Sequence, residues 1–409
     1  MLRLKLKKLV LLVVLTFLLT VTTYLRYQMF LEANNVKPEV VVPLPRPRIV
    51  LNKADEMKER IAHMHRFCSQ YPKRRRLVAM LKTNVFYISE KYKLSYCRVA
   101  KVGSTFWTQV FMTLAGIKPQ DGQSLFNVPR DESHDQIKEH EELTMDLKDD
   151  RINNFTSFMV ARNPYSRLFS SYIDQIFLPN KWYVASFMIF GTEKGSRKRC
   201  GNDVTFDEFL RTVSRNTIRR MPNDLHWAPI FSICLPCDTK IDMLAKHETF
   251  NEDAEYILNV TGVEQTTRDE VDRVLKENYI SHSLSTLVHT YVTKAHDRTQ
   301  IRKGCITEIQ IAERIWKAFQ IQGYIHNDLH FPAAEFKSSS ASETEKSLTK
   351  LVSEASELRP LTSQERNTQR HNWQIYYWKT VTPEVLLKVQ DAYYEDFLLF
   401  NYDFDPNTM

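Results

Sequence analysis

The sequence predicts an α/β fold in which helices flank a central parallel sheet, and two junctions between a strand and a helix indicate it. At the first junction, an apolar segment that ends at Cys97 leads through a short turn into an amphipathic segment. At the second, the near-continuous apolar run 155–161 is typical of a buried parallel strand, and a helical pattern follows it. Strands that alternate with helices favour a parallel sheet, with a ligand at the carboxyl ends of its strands. The 409 residues suffice for one large domain or two smaller ones.

The first junction contains the turn Lys101-Val-Gly-Ser-Thr105. A helix that begins here directs free N–H groups and the positive end of its dipole toward one point, which suits a phosphate. In that helix Phe106, Val110 and Leu114 form one stripe, and Gly116 is a natural stop. Such turns also occur by chance, so this turn alone leaves the phosphate interpretation open.

The second junction carries Arg162, Arg167 and Ser170. Asn163 suits the cap of the following helix, and Pro164 suits its first position. Two phosphate-type sites on neighbouring strands indicate a ligand with phosphates at both ends of a nucleotide. On the competing interpretation, Arg162 pairs with a carboxylate, Ser170 is an ordinary helix residue and Arg167 orients the loop.

These segments resemble the 5′-phosphosulfate-binding loop and the 3′-phosphate-binding segment of sulfotransferases. The blocks 225–237 and 245–249 narrow the resemblance to the Golgi carbohydrate sulfotransferases of the HNK-1 and chondroitin/dermatan 4-O-sulfotransferase family (sulfotransferase family 2), and 393–402 is similar to that family's ending. The resemblance covers residues 96–262 and the C-terminal end, whereas 264–378 is not matched. It implies a P-loop-like sulfotransferase fold.

The resemblance also implies the chemistry. The sulfate donor is expected to be 3′-phosphoadenylyl sulfate, the acceptor a sugar hydroxyl, and no metal is needed. Lys101 is expected to stabilise the leaving oxygen during catalysis. The resemblance assigns the donor-binding residues to the two segments: Ala100, Lys101, Val102, Gly103, Ser104, Thr105 and Phe106 around the 5′-phosphate, with Arg162, Arg167 and Ser170 at the 3′ side.

A general base must take the proton of the acceptor hydroxyl. His226 is the first candidate, because it lies in the family-like block 225–237. His134 and His140 lie between the two donor segments and are alternatives, as are the carboxylates Glu141 and Glu248. For each histidine, a purely structural role as a cap or a core residue is the competing interpretation.

The N-terminal segment predicts a membrane anchor. Basic residues at 1–8 precede an uncharged run at 9–25, whose length is near what a thin secretory-pathway bilayer needs. A cleavable signal peptide is the alternative, but its apolar region is usually shorter. The basic cluster places residues 1–8 in the cytosol. A proline-containing stem at 26–60 and a luminal domain at 61–409 complete a single-pass type II protein of the Golgi membrane.

Six cysteines suit an oxidising lumen and permit up to three disulfides, whose pairing the sequence leaves open. Cys234-Leu-Pro-Cys237 has the spacing of a redox pair or half a zinc site, but no second ligand pair accompanies it, so no metal site is predicted. Sequons at Asn154 and Asn259 are open to glycosylation in this compartment.

Two polar stretches lie outside the donor segments. The basic run 73–76 indicates a solvated surface or a glycan-binding patch, with a processing site as the alternative. The stretch 337–350 is rich in Ser, Lys and Glu and predicts a disordered insertion.

The net charge of +7 suits an anionic donor and an acidic glycan acceptor and does not demand a nucleic acid. The 4-O position of GalNAc in chondroitin or dermatan is the first expectation for the acceptor, followed by an N-glycan or a terminal glucuronate. A P-loop kinase or NTPase shares such a phosphate site, but 100–105 lacks the Gly-x-x-x-x-Gly-Lys-[Ser/Thr] arrangement. A catalytically inactive, membrane-tethered glycan-binding protein is the other alternative, because loss of the acceptor base alone would leave Lys101 and Arg162 unchanged.

Overall fold

A computed structural model describes residues 52–70, 86–118, 124–146, 149–185, 200–221, 223–276, 284–297, 305–338 and 340–408. Within these ranges, none of the helices has both the length and the apolar character that a membrane crossing requires. The predicted cytosolic tail at 1–8, the predicted anchor at 9–25 and the basic run at 73–76 lie outside the described residues.

The central sheet consists of β1 (Phe86–Ser89), β2 (Leu94–Cys97), β3 (Thr144–Met145), β4 (Thr156–Ala161) and β5 (Met243–Lys246), in the spatial order β3-β1-β2-β4-β5. Strands β2, β4 and β5 are parallel, whereas β1 runs antiparallel to both β2 and β3. The prediction of a parallel sheet is therefore correct for the three strands β2, β4 and β5 and wrong for the other two. Short strands beside the parallel part can join it in either direction, and β1 reaches β2 through a tight turn that only an antiparallel pair allows.

Strand β4 lies at the centre of the main core. All of its residues after Thr156 are buried, as expected for a strand with helices on both faces. The Phe158 ring lies 5.0 Å from the Tyr96 ring and 4.5 Å from the Trp107 ring, measured between centroids. This aromatic packing joins β2 and β4 to the helix after β2, so the two junctions are rigidly related.

The α-helices of the described ranges are numbered in chain order: α1 (Lys53–Gln70), α2 (Ser104–Leu114), α3 (Arg130–Gln136), α4 (Pro164–Tyr172), α5 (Phe206–Ile218), α6 (Ile230–Cys234), α7 (Phe250–Val260), α8 (Gln265–Lys276), α9 (Leu284–His296), α10 (Glu308–Ile321), α11 (Ala341–Leu358), α12 (Ser363–Lys379), α13 (Pro383–Ala392) and α14 (Tyr394–Leu399). A π-helical turn, Ile173–Phe177, continues directly from α4. Such turns are often found at functional sites.

Helix α1 packs against the folded domain, and its residues 53–60 fall within the predicted stem at 26–60. Its residues Met57 and Met64 are buried. Arg60 donates through Nη1 to Asp253 Oδ2 at 2.6 Å and to the carbonyl of Leu244 at 3.1 Å. These contacts attach α1 to β5 and α7, and the domain therefore includes residues from Lys53 onward.

Most of the stretch 337–350, which we expected to be disordered, lies in helix α11. Residues 341–350 of the stretch 337–350 form its first half. The Ser340 hydroxyl caps the helix by accepting a hydrogen bond from the Glu343 N–H. One face of α11 is buried against α9 and α10, through Thr344, Leu348, Leu351, Val352 and Ala355. The polar composition of 337–350 hid this apolar stripe, which continues beyond residue 350.

Three disulfides join distant parts of the chain: Cys68–Cys237, Cys97–Cys234 and Cys200–Cys305. They use all six cysteines of the sequence. Because Cys234 and Cys237 bond to different partners, they form neither a redox pair with each other nor half of a zinc site.

Candidate active site

A cavity of about 480 Å³ lies where β2, β4 and β5 end, since Lys101, Arg162 and His247 follow these strands and line it. We call it the polar cavity. A less polar cavity of about 650 Å³, the aromatic cavity, shares Lys101, Arg162 and Ser170 with it. The structure therefore brings both predicted junctions to one place. The predicted site residues that line the polar cavity are Ala100, Lys101, Gly103, Ser104, Thr105, Arg162, Ser170 and His226, and Phe106 lines the aromatic cavity.

The turn after β2 has the geometry of an anion site. Lys101 and Gly103 both adopt left-handed backbone conformations, with φ of 69° and 92°. A Cβ atom on Gly103 would lie 2.5 Å from the Phe250 ring, so only glycine fits there. Helix α2 begins at Ser104 with no side-chain cap and no acidic residue in its first turn, among the residues described. Its first N–H groups therefore point at the cavity with the positive end of the helix dipole. Val102 is buried and contributes only backbone.

Lys101 is held by a buried carboxylate. Its Nζ atom lies 2.7 Å from Oδ2 of Asp174, in the π-helical turn, and Arg130 Nη1 donates to both oxygens of the same carboxylate at 2.8 and 3.0 Å. Burial alone would raise the pKa of Asp174, but the charges of Arg130 and Lys101 outweigh burial and hold it well below its usual range. The carboxylate of Asp174 thus holds the positive charges of Lys101 and Arg130 together at the polar cavity.

At the second junction, side chains accept hydrogen bonds from the N–H groups at the start of α4. Asn163 Oδ1 accepts from the Tyr165 N–H at 2.9 Å, and Glu248 Oε1 accepts from the Asn163 N–H at 2.9 Å. The predicted cap is therefore confirmed, and the start of α4 keeps fewer N–H groups for a ligand than the start of α2. Glu248 also accepts from the Tyr402 hydroxyl at 2.8 Å, so its carboxylate serves structure, which disfavours it as a general base.

Arg162 is the cation that the second junction offers. Its Nη1 donates to the carbonyl of Lys101 at 2.8 Å, which ties the two junctions together. It forms no ion pair among the residues that the structure describes. Burial and then the charge of Arg370 lower its pKa to about 10. A guanidinium that forms no ion pair among the described residues and lines the same cavities as Ser170 is suited to bind an anion.

Arg167 has a different position from the one expected for a donor ligand. It is buried and lines neither cavity. Its guanidinium donates to three backbone carbonyls: Ala100 at 3.0 Å, Ala228 at 2.6 Å and Leu225 at 2.9 Å. These contacts favour the alternative that Arg167 orients the loop, although it does so through carbonyls rather than a salt bridge.

His226 has the arrangement of a general base. Its Nδ1 atom lies 2.5 Å from Oδ1 of Asp224, which also pairs with Lys181. The carboxylate holds the ring proton on Nδ1, so Nε2 is left to accept a proton from the cavity. Burial lowers the pKa of His226 below its ordinary value although Asp224 opposes that effect, which favours the neutral imidazole that a base requires.

The other candidates for the base are less suited. His134 lines the polar cavity, but its two ring nitrogens lie 3.3 Å from the hydroxyls of Thr105 and Thr108. Burial, followed by Arg98 and Arg130, lowers its pKa to about 4. His140 pairs with the carboxylate of Glu142 and lines neither cavity. The side chain of Glu141 lies outside the described residues.

Sequence reasoning missed several side chains that line the polar cavity or orient a residue in it, among them Arg130, Asp174, Asp224, His247 and Arg370. Asp224 had a local signal, because a carboxylate two residues before His226 is placed to bond the His226 N–H, as it does at 2.9 Å. The others come from turns and helices whose approach to the junctions depends on the whole fold.

Known proteins confirm the resemblance. The chain is similar to Carbohydrate sulfotransferase 11 of Rattus norvegicus (27% identity over 218 residues, 50% of this chain and 61% of that protein) and to Carbohydrate sulfotransferase 9 of Homo sapiens (28% over 243 residues, 55% and 53%). Carbohydrate sulfotransferase 10 of Xenopus laevis is 27% identical over 190 residues, 44% and 53%. The chain thus spans about half to three fifths of the length of these curated relatives. No solved structure matches it.

The family model covers every residue that lines the polar cavity except Arg370. It is the model of the sulfotransferase family, and it matches residues 84–318 of the 409. That range contains both strand–helix junctions, Asp174 and the His226 block. Because more than half of the chain matches, the protein belongs to the sulfotransferase family.

Proposed function

We propose that this protein is a carbohydrate sulfotransferase that moves a sulfuryl group from 3′-phosphoadenylyl sulfate to a sugar hydroxyl of a glycan. The observation that carries the proposal is the pair of anion sites on adjacent parallel strands. The uncapped start of α2 with Lys101 suits the 5′-phosphosulfate, and Arg162 with Ser170 suits the 3′-phosphate. The names of the similar proteins support the same activity.

The charges and shape of the site fit such a donor. Six Lys or Arg side chains line the polar cavity against two Asp side chains, so it favours a ligand with several negative charges. The aromatic cavity adjoins it, and the Phe106 and Phe250 rings there have centroids 5.2 Å apart. These rings offer an apolar surface to a nucleobase, while the phosphates occupy the polar cavity.

The mechanism uses three side chains of this chain. His226 Nε2 accepts the proton of the acceptor hydroxyl as that oxygen bonds to sulfur, and the bond between sulfur and the bridging oxygen of the 5′-phosphate breaks. Asp224 holds the His226 ring and stabilises the imidazolium that forms. Lys101 Nζ stabilises the charge that grows on the departing oxygen of adenosine 3′,5′-bisphosphate. No residue of this scheme needs a metal.

For the acceptor we propose the 4-O position of GalNAc in chondroitin or dermatan. The resemblance of the blocks 225–237 and 245–249 to the HNK-1 and chondroitin/dermatan 4-O-sulfotransferase family supports this choice. Lys181 and Lys294 line the cavity on the side of His226 and Asn180, where they suit an acidic glycan. The intact pair of His226 and Asp224 disfavours an inactive glycan-binding protein.

The Golgi lumen is the compartment that we propose. Three disulfides need an oxidising environment to form, and the sequon residues Asn154 and Asn259 are both exposed. The uncharged run at 9–25 provides the anchor in this proposal.

The test is sulfate transfer by the full chain, expressed through a secretory pathway. Labelled 3′-phosphoadenylyl sulfate is offered with desulfated chondroitin, dermatan, heparan and N-glycans, and we expect transfer to chondroitin or dermatan. Transfer to another acceptor would keep the enzyme class and replace the substrate. A folded protein that binds no adenosine 3′,5′-bisphosphate would refute the donor site.

Two variants separate the roles of the donor-site cations. Lys101→Ala is expected to reduce kcat more than donor affinity, because its contact forms mainly in the transition state. Arg162→Ala is expected to weaken the binding of adenosine 3′,5′-bisphosphate about tenfold or more, because a charge-assisted hydrogen bond is lost. Equal losses of kcat and affinity in the Lys101 variant would make Lys101 a binding residue only.

A further inference from the structure

Helix α12 supplies the site with a cation that neither junction contains. Arg370 lines both the polar and the aromatic cavity. Its side chain is exposed and forms no ion pair among the residues that the structure describes. It lies beyond the family match at 84–318 and within 264–378, the region for which the sequence indicated no role.

The backbone of α12 is held in place on both sides of Arg370. On one side Gln369, which is buried, donates to the carbonyls of Gln320 at 2.7 Å and Ile325 at 2.8 Å. On the other, Gln374 donates to the Ser166 hydroxyl at 2.8 Å. Ser166 lies on α4, the helix that also carries Ser170. The position of Arg370 relative to the second junction is therefore set by packing.

Arg162 and Arg370 present two positive charges to the same two cavities. Both line both cavities, and neither forms an ion pair among the described residues, whereas Lys101, Arg130, Lys181 and Lys294 each do. After burial, the charge of Arg370 is the largest influence that lowers the pKa of Arg162. Two like charges that face one cavity repel each other until an anion lies between them. Guanidinium groups present forked donors that match the oxygens of a phosphate.

We propose that Arg370 binds the 3′-phosphate of the donor together with Arg162, so that α12 completes the pocket for this terminal phosphate. The inference rests on the proposed function. Lys101 and the start of α2 bind the 5′-phosphosulfate of the donor in this proposal, and Arg370 takes no part in that contact. Arg370 therefore makes the site select nucleotides that carry a 3′-phosphate over those that lack one.

The test is a comparison of two nucleotides by calorimetric titration of the full chain. Adenosine 3′,5′-bisphosphate and adenosine 5′-monophosphate are titrated into the native protein and into Arg370→Gln. We expect the variant to bind the bisphosphate about tenfold to a hundredfold more weakly, as for one lost charge-assisted contact, with the monophosphate affinity unchanged. Lys379→Gln removes one exposed charge from the same helix and is the matched control, expected to bind both nucleotides as the native protein does.

Each other outcome overturns the inference in a distinguishable way. Unchanged bisphosphate affinity in Arg370→Gln would exclude the contact, and equal losses for both nucleotides would show a general charge effect. A native protein that does not prefer the bisphosphate would refute the donor site itself, before any variant is considered. Arg370→Lys is titrated in parallel, and its bisphosphate affinity should lie between those of the native protein and the Gln variant. If Arg370→Gln does not fold, a Lys variant with native affinity would overturn the contact.

Discussion

Replacing Arg167 with methionine should cost stability rather than ligand binding. The substitution keeps the length and apolar stem of the side chain but removes the donors that three carbonyls use, those of Ala100, Leu225 and Ala228. These carbonyls belong to the loop before α2 and to the segment around His226. Arg162→Met is the matched control, because its one described protein hydrogen bond is to the Lys101 carbonyl.

The expected size follows from burial. Hydrogen bonds to a charged group contribute about 1.5–3 kcal/mol each, but removing the buried charge also removes its desolvation cost. Each buried carbonyl left without its donor costs about 1–3 kcal/mol, and the lost desolvation cost of the charge offsets part of the total, so we expect about 3–5 kcal/mol for Arg167→Met. For Arg162→Met, with one bond in a half-buried position, we expect about 1 kcal/mol.

Urea unfolding with the disulfides intact, followed by tryptophan fluorescence, measures the free energy of unfolding of each variant. Titration with adenosine 3′,5′-bisphosphate measures its nucleotide affinity. The two variants should behave in opposite ways, since Arg167→Met loses stability and Arg162→Met loses affinity. An Arg167→Met protein with a native unfolding midpoint and greatly reduced nucleotide affinity would refute the reasoning. Arg167 would then be a donor ligand, as the family resemblance first implied.

Further variants test the base and the loop. His226→Gln should lower kcat about 100- to 10,000-fold while adenosine 3′,5′-bisphosphate still binds, and a kcat near the native value would exclude His226. Asp224→Asn removes the charge that raises the pKa of His226, so the acidic limb of the kcat/KM profile should move to lower pH, and the plateau should fall. An acidic limb that does not move would show that Asp224 does not influence the titration of His226. Gly103→Ala should weaken donor binding more than Gly116→Ala, because both have positive φ but only Gly103 has an aromatic ring within 4 Å, and equal binding would contradict this.

The two junctions were predictable because each is specified by a few consecutive residues. Gly103 permits the left-handed turn before α2, while Asn163 and Pro164 specify the start of α4. Helix propensity and capping act over one or two turns, so such signals survive in any fold.

The remainder of the site depends on tertiary structure. Asp174 is one of many acidic residues in the sequence until the π-helical turn buries it beside Lys101 and Arg130. Arg370 faces the cavity only because the buried Gln369 positions α12, far from the junctions in sequence. The local sequence pattern carries no information about such contacts. For the same reason the polar composition of 337–350 wrongly predicted disorder, because the apolar face of α11 is buried only by packing against α9 and α10.

The Cys68–Cys237 disulfide determines what proteolysis is able to release. The basic run 73–76 follows Cys68 in the chain, so a cut there leaves an N-terminal fragment that is still covalently attached to the domain through Cys237. Any single cut between residues 69 and 236 has the same result. Shedding of the domain from the proposed anchor at 9–25 therefore needs either a cut ahead of Cys68 or reduction of this bond. A soluble form whose only N-terminus is at residue 77 would be evidence that reduction had occurred.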